Sequence, residues 1–400
     1  MLAFTEALGR LLASARVVGA ERVSLGEACG RVLAEDVRAP APLPPFDHSA
    51  MDGYALRLSD LAGDGPFELA VIGESAAGGE ALDLAPRGAC RIFTGARLPA
   101  GADAVVMQEK VTRRGDVITI DVRPRPGENV RPRGQDLAEG AVALRRGARL
   151  SPGRVALAAA LDRPELHVAR RPVVSVLCSG DELRAPGTGG RPGSIPESNG
   201  YFVAAAARAA GAVVRVAPFV PDEAEPARRA VEEALRGSDM VVTIGGVSVG
   251  DRDVIRPALE AAGVTIDFWK VKIKPGKPIA VGRAGSAQVI GLPGNPASAS
   301  LTFLLFGVPL LRAMQGDAAP LPTRLRAKLD RRVEHEPGRE EFLRAELENE
   351  GGELCARVAP NQASGAVTSF ASADALVVFP AERAVIEAGV TAEVIRLADV

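Results

Sequence analysis

Residues 239–253, DMVVTIGGVSVGDRD, pass from an apolar run through a double glycine to two aspartates, and their reading as strand, tight loop and helix start decides the fold. Met240 to Ile244 carry no polar alternation apart from Thr243, which suits a strand buried on both faces of a parallel sheet. Gly245 and Gly246 let the backbone turn sharply and come close to a ligand, and Asp251 or Asp253 can cap the next helix, VIRPALEAAG. Ligands of open α/β sheets bind outside the carboxyl ends of the strands. The loop therefore reads either as a site floor or as a capped β-α turn.

Working outward, the same alternation runs from Pro172 to Met314. VVSVLCSGDEL (173–183), AVVRVAPFVPD (212–222), VTIDFWKV (264–271) and AQVIGLPGNP (287–296) read as strands with loops. SNGYFVAAAARAAG (198–211), EAEPARRAVEEALRG (223–237) and ASASLTFLLFGVPLLRAM (297–314) read as helices. Strands alternating with helices of ten or more residues predict a doubly wound, mostly parallel sheet with right-handed crossovers.

Both flanks have a β texture. Short β-type runs occur at 67–74, 88–95, 103–109 and 116–122, separated by Gly, Pro and Asp, and predict a small inserted β domain. Five more, LRAKLDRRV, EFLRAELEN, LCARVAP, DALVVFP and VTAEVIRL, predict a C-terminal barrel or sandwich. Residues 1–40 read as helical, first to about Val18 and then in SLGEACGRVLAEDV, with Ser24 and Glu27 as a capping box. The prolines of PAPLPP (40–45) mark a stiff connector, and RVALAAALDR (154–163) reads as a helix.

At 400 residues the chain exceeds one ordinary core, and roughly 100 to 200 residues per domain implies two to four. A formal net charge of −2 gives no electrostatic footprint for nucleic acid or an anionic membrane. Cys29, Cys90, Cys178 and Cys355 lie far apart with no C-x-x-C pair, which suggests neither a zinc site nor a disulfide framework and fits the cytosol. The N-terminus reads as an amphipathic helix and not a signal peptide. The apolar stretch Ala299 to Leu311 reads as too short to span a bilayer.

The cations are unevenly used. Only six of the 48 Lys and Arg residues are lysines, and Lys270, Lys272, Lys274 and Lys277 are four of them. The cluster reads as a demand for compact ammonium groups, or as lysine stems covering an edge strand.

Loops that follow parallel strands emerge on one edge of the sheet. SGDEL (179–183), FVPD (219–222), GGVSVGDRD (245–253) and GLPGNP (291–296) would bring Asp181, Glu182, Asp222, Asp251 and Asp253 to a common rim, with Lys270, Lys274 and Lys277 alongside. Carboxylates able to hold Mg²⁺ beside lysines able to neutralise phosphate oxygens suit phosphoryl or nucleotidyl chemistry. Glycines add backbone N–H groups for anionic oxygens. Each residue also has a duller reading: Asp181 and Asp253 as helix caps, Asp222 closing a turn, Pro293 and Pro296 ending a strand and starting a helix. Met51 and Tyr54 flank Asp52 and Gly53 in SAMDGYAL, which is either a turn at a domain entrance or an acidic loop tip offered to a ligand or another subunit. His48, His167 and His335 are too scattered for a metal cluster, and no G-x-S-x-G motif occurs.

FDHSAMDGYAL, RIFTGARLPAGADAVVMQE, SGDEL, ESNGYF, GGVSVGDRD, KPGKPIAVG and GLPGNPASA, in this order and spacing, resemble the molybdopterin molybdenumtransferase (MoeA) family, which includes the C-terminal domain of gephyrin. The resemblance covers nearly the whole chain. It implies insertion of molybdate into adenylylated molybdopterin with release of AMP and a divalent cation, Mg²⁺, as cofactor. It implies a cytoplasmic, elongated homodimer with an intersubunit active site, supplied by a molybdopterin adenylyltransferase upstream. The chain would divide into an N-terminal helix (1–20) packing on the core, a linker domain (21–45 and 140–170), an inserted β domain (46–139), a molybdopterin-binding-like α/β domain (171–318) and a β-barrel (319–400).

Carried over residue by residue, the resemblance makes Asp52, Asp136, Glu182, Asp222 and Asp253 catalytic, with Glu182, Asp222 and Asp253 at the metal. Thr94, Ser179, Gly180, Asp181, Gly245, Gly246, Ser248, Lys270, Lys274, Lys277, Pro293, Asn295, Arg344 and Ser364 would bind the substrate. Gln135 in GQD, Arg252 before Asp253, and Pro196-Glu197 before Ser198-Asn199 depart from the family's usual residues. The competing expectations are an adenylyltransferase-like enzyme and a non-enzymatic, gephyrin-like scaffold.

Overall fold

A computed structural model of the chain describes residues 1–80, 82–217, 219–246 and 254–397. It resolves into two compact units, one of Met1–Glu35, Arg146–Ser151 and Glu165–Val400, the other of Asp36–Arg145 and Pro152–Pro164.

The first unit is built on a six-stranded sheet in the order Val213–Val216, Val173–Cys178, Met240–Ile244, Ala287–Leu292, Pro278–Ala284, Thr265–Lys270. The first four strands are parallel. Met240–Ile244 is buried along its whole length, with Met240, Val242 and Ile244 in one apolar cluster and Val241 in the other. This two-sided burial is what the unbroken apolar run encodes, and each such side chain contributes about 1.5–3 kcal/mol.

The last two strands correct the expectation of a simple alternation. Pro278–Ala284 turns back on Ala287–Leu292 as an antiparallel hairpin, with Gly285 at φ +60° in its two-residue turn, and Thr265–Lys270 runs antiparallel to it in turn. The prolines and glycine of KPGKPIAVG mask the Pro278–Ala284 strand in the sequence. The double reversal points Thr265–Lys270 the same way as the parallel strands. Lys270 thus ends its strand, and Lys277 precedes the next, at the same edge as the other loops.

The first helix, Phe4–Ser14, ends earlier than its sequence suggests and buries Phe4, Ala7, Leu8 and Leu11. Phe4 meets Phe306 and Phe342 edge-on at 5.4 and 5.1 Å. Residues 20–24, expected to belong to a helical region, form a strand paired antiparallel with Glu165–Ala169. Only the turn Leu25–Ala28 remains helical, and the capping box does not form, because Ser24 Oγ bonds the Glu27 carboxylate (3.1 Å) instead of backbone. Strand pairing across more than a hundred residues outweighs the local helix signal here, which no short window can register.

Pro296–Met314 is one helical rod of 19 residues, mean hydropathy 1.5, with a π-helical turn at Phe303–Gly307. Pro309 has no N–H to give the Leu305 carbonyl, which accounts for the irregular turn. The rod is long enough to cross a membrane, contrary to expectation, but it is packed inside the protein as the centre of the main core.

In the same unit, Glu340–Glu350, Glu353–Val358, Arg324–Leu329, Thr391–Arg396 and Ala375–Phe379 close into a five-stranded barrel, the last strand pairing back on the first. Of the two expected forms it is the barrel that is adopted. Ile273–Lys274 adds to it in parallel with Glu340–Glu341, which ties the lysine-rich segment to the barrel.

The second unit holds a sheet in the order Ala104–Met107, Gly53–Leu56, Gly88–Ile92, Phe67–Ser75, Val117–Ile120, Thr112–Arg114, in which only Phe67–Ser75 and Gly88–Ile92 are parallel. Gly53 is required by close approach, since a Cβ there would lie 2.0 Å from the Val106 carbonyl oxygen. The helix Pro152–Ala160 completes the unit. All four cysteines are free.

Candidate functional site

At the carboxyl edge of the α/β sheet, Ser179 Oγ donates to Asp222 Oδ1 (2.8 Å), and the Asp222 N–H donates to Asp181 Oδ1 (3.3 Å). The two loops are stitched by the bridge between Ser179 and Val220. Asp181, Glu182 and Asp222 are exposed and take part in no ion pair among the described residues. Asp222 therefore neither caps a helix nor serves only a turn: the N-cap of Ala224–Leu235 is Glu223. The N-cap of Ile255–Ala261 is Val254. Ser248, Asp251, Arg252 and Asp253 lie outside the described residues.

Gly180, at φ +150°, sits against the Glu182 carboxylate, and Gly245 and Gly246 adopt φ +86° and +62°. A Cβ on Gly245 would lie 2.6 Å from the Ser179 carbonyl oxygen. Gly245→Ala is expected to destabilise the protein by about 2–3 kcal/mol and to displace the Ser179 loop. Denaturant unfolding checks this, and an unchanged midpoint would mean that the close approach is not required.

Beneath this rim the Cys178 thiol is pushed up to about 12, by burial first and then by the Glu197 carboxylate. It is a packed, inert group and not a nucleophile.

The GLPGNP loop is held from two sides. Asn199 Nδ2 donates to the Gly294 carbonyl (2.7 Å), and Asn295 Nδ2 donates to Ser364 Oγ (3.1 Å). The Ala297 N–H bonds the Ser364 carbonyl (2.8 Å). Pro293 is buried at the strand end, and Pro296 opens the helix behind the N-cap Asn295. Arg344, expected as a cation offered to ligand, is instead 0% exposed. Its Nε donates to Ser369 Oγ (3.1 Å) and its Nη2 to the carbonyls of Asn361 (3.2 Å) and Ala363 (3.1 Å), so it shapes the loop that carries Ser364. Nη1 is buried with no protein partner. Burial lowers the guanidinium's pKa, opposed by Glu341. Lys274 pairs with Glu341, whereas Lys270 and Lys277 make no ion pair among the described residues.

In the other unit, Asp52 Oδ1 accepts the N–H and the hydroxyl of Thr94, both at 2.8 Å. The backbone bond from Thr94, then its hydroxyl, hold the half-buried Asp52 carboxyl below its usual range, with help from Arg91. Arg91 bonds the Gly53 carbonyl (2.9 Å) and Gln108 (2.5 Å) and lies over the rings of Tyr54 and Phe93. Asp52 thus sits on a braced, anionic loop, while Asp136 is exposed in the turn held by the Leu43 carbonyl. Because the folded value is depressed, the stabilisation from Thr94 is present above the unfolded value and lost as pH falls through the folded one. Thr94→Val is expected to move the Asp52 titration up towards 3.8, followed by carboxyl NMR. No movement would show that the hydroxyl bond does not form in solution.

Among the described residues no group of three His, Cys, Asp or Glu side chains is arranged to hold a metal by itself. Sequence reasoning missed Arg91, Glu341 and His335. Arg91 opens RIFTGARLP, but nothing local marks it as the brace of the Asp52 loop, and Glu341 and His335 acquire meaning only when the barrel strand is paired.

Residues 2–161 match the MoeA N-terminal region (domain I and II), residues 175–313 a probable molybdopterin binding domain, and residues 326–397 the MoeA C-terminal region (domain IV). The chain is 38% identical over 375 residues to the molybdopterin molybdenumtransferase of Haemophilus influenzae, covering 93% of this chain and 92% of that one. It is 34% identical to that of Bacillus subtilis, covering 94% and 90%. A crystal structure of the molybdopterin biosynthesis MoeA protein of Pyrococcus horikoshii superposes with a TM-score of 0.87 at 30% identity, covering 99% of this chain and 100% of that chain. With relatives matched end to end and the same barrel and α/β core, the chain belongs to the MoeA family.

Proposed function

We propose that the protein is a molybdopterin molybdenumtransferase, which inserts molybdate into adenylylated molybdopterin and releases AMP in molybdenum cofactor biosynthesis. The observation that carries this reading is the rim at the carboxyl edge of the α/β sheet, where Asp181, Glu182 and Asp222 are exposed without a cationic partner among the described residues and Lys270 and Lys277 lie at the same edge. Lys270 and Lys277, which make no ion pair among the described residues, add cationic charge suited to tetrahedral oxyanions at that edge.

The carboxylate rim suits the adenylate's phosphate through Mg²⁺. That ion is usually held by one or two carboxylates together with substrate phosphates, not by an all-protein cage. Asp181, Glu182 and Asp222, exposed and free of cationic partners among the described residues, fit that sparse demand, and Asp253 would join them. When bound, Mg²⁺ would offset the charge that develops on the phosphate oxygens. Ser179 fixes the Asp222 carboxylate, and Asp52, kept ionised by Thr94, would close the cleft from the partner subunit of a homodimer together with Asp136. No enzyme nucleophile is required, because the substrate's own sulfurs ligate the incoming molybdenum. We further propose a cytoplasmic location and supply by a molybdopterin adenylyltransferase, without nucleic acid or membrane as partners.

The test is AMP release by the purified protein from adenylylated molybdopterin and Mg²⁺, with and without molybdate, followed by chromatography. Release that requires molybdate supports the reading. Release indifferent to molybdate, or none, overturns it.

A further inference from the structure

Four lysines cluster between 270 and 277, but only Lys274 makes an ion pair among the described residues. Its Nζ lies 3.1 Å from Oε1 and 3.3 Å from Oε2 of Glu341, so both carboxylate oxygens face the ammonium. The two residues stand opposite each other where Ile273–Lys274 joins the barrel in parallel with Glu340–Glu341. Glu341 is buried and is gripped from behind: His335 Nδ1 lies 2.5 Å from Oε2, and His335 Nε2 lies 2.7 Å from the Arg339 carbonyl oxygen. The His335 side chain is fully buried, with its ring against Phe379 at 4.9 Å.

An exposed lysine ordinarily samples many rotamers, and an ion pair between two mobile side chains contributes little. Here one partner cannot move, because the barrel and His335 fix the carboxylate. The ammonium is neutralised as a bulk charge but gains a set direction. Lys270 and Lys277 have the opposite character, free charge without a fixed direction. Burying a carboxylate costs folding free energy that an apolar side chain at the same place would not, so stability alone does not explain Glu341.

We propose that Glu341 and His335 are positioning residues, which act through Lys274 to aim one of its N–H groups at the oxyanion substrate. The chain of action runs from the Arg339 carbonyl through the His335 ring and the Glu341 carboxylate to the Lys274 ammonium. The inference rests on the functional reading above for the identity of the anion.

Glu341→Gln tests it with little risk to folding, since the amide keeps an oxygen for Lys274 and offers an N–H to the histidine ring. The comparison set is wild type, Glu341→Gln, Lys274→Ala and the double variant, with His335→Gln alone and in the Lys274→Ala background. In AMP release, Glu341→Gln and Lys274→Ala are each expected to raise the molybdate KM about tenfold with kcat changed less than about twofold, and the double variant to be no worse than Lys274→Ala. Glu341→Asp, which keeps the charge on a shorter arm, should recover part of the loss. His335→Gln should raise KM in the wild-type background and do nothing further without Lys274.

A wild-type KM in Glu341→Gln, or losses that multiply in the double variant, overturns the proposal, because a purely structural role is indifferent to the presence of Lys274. If the wild-type protein releases no AMP with molybdate, it is the functional reading that fails. Calorimetric titration of molybdate alone into the same proteins then decides: equal losses in Glu341→Gln, Lys274→Ala and their double variant support the coupling, and additive losses overturn it.

Discussion

Asp222→Asn is expected to lower molybdate-dependent AMP release by about 10²–10³-fold while leaving the unfolding midpoint within about 0.5 kcal/mol of wild type. The two halves of this expectation have separate causes. Asn keeps an oxygen for the Ser179 hydroxyl and a backbone N–H for Asp181, so the loop contacts survive. What is lost is one negative charge on an exposed rim that has no cationic partner among the described residues. Such a charge is of little use to folding and of much use to a divalent cation. The variant should accordingly need more Mg²⁺ to reach half its residual rate. Wild-type activity at ordinary Mg²⁺ would remove Asp222 from the metal's surroundings and leave Glu182 and Asp181 as the described candidates.

Arg344→Met is expected to behave in the opposite way, losing both stability and activity. The guanidinium is fully buried and ties Ser369 and the carbonyls of Asn361 and Ala363. Met fills similar volume but supplies no donors, so two carbonyls lose their bonds, at a total cost of about 3–5 kcal/mol. Ser364 then loses its fixed place opposite Asn295, and AMP release should fall below detection even in the folded fraction. Arg344→Lys should lie in between, since an ammonium keeps the charge but not the planar fork. Urea unfolding with AMP release on the same preparations checks both. A stable but inactive Arg344→Met would assign the residue to the anion alone, and an active but unstable one to the loop alone.

These two residues also show what a sequence can and cannot convey. The Asp222 position was legible because the alternation of strands and helices places every loop after a parallel strand on one edge. Arg344 looked like a cation offered to a ligand, because EFLR gives no sign that its strand closes a barrel whose outer face, shared by Phe342 and Arg344, is packed against the rest of the unit. Lys270 and Lys277 were placed near the rim for an incomplete reason. The hairpin of Pro278–Ala284 on Ala287–Leu292, hidden among prolines and glycines, is what turns Thr265–Lys270 to face that edge.

By itself the sequence determined the doubly wound core, the β regions on either side of it, the glycine turn at 245–246 and the family to which these belong. Periodicity, backbone freedom and motif order are local or linear properties, so they can be read along one chain. Only the tertiary structure decided the barrel over the sandwich, the strand at 20–24, the burial of a rod long enough to cross a membrane, and the partners of Arg344, Lys274 and Asp52. Each of those outcomes is a choice among distant partners. Residue type sets what a group needs, whether a hydrogen bond, a counter-charge or removal from water, but the packed fold alone determines which of many suitable groups meets it.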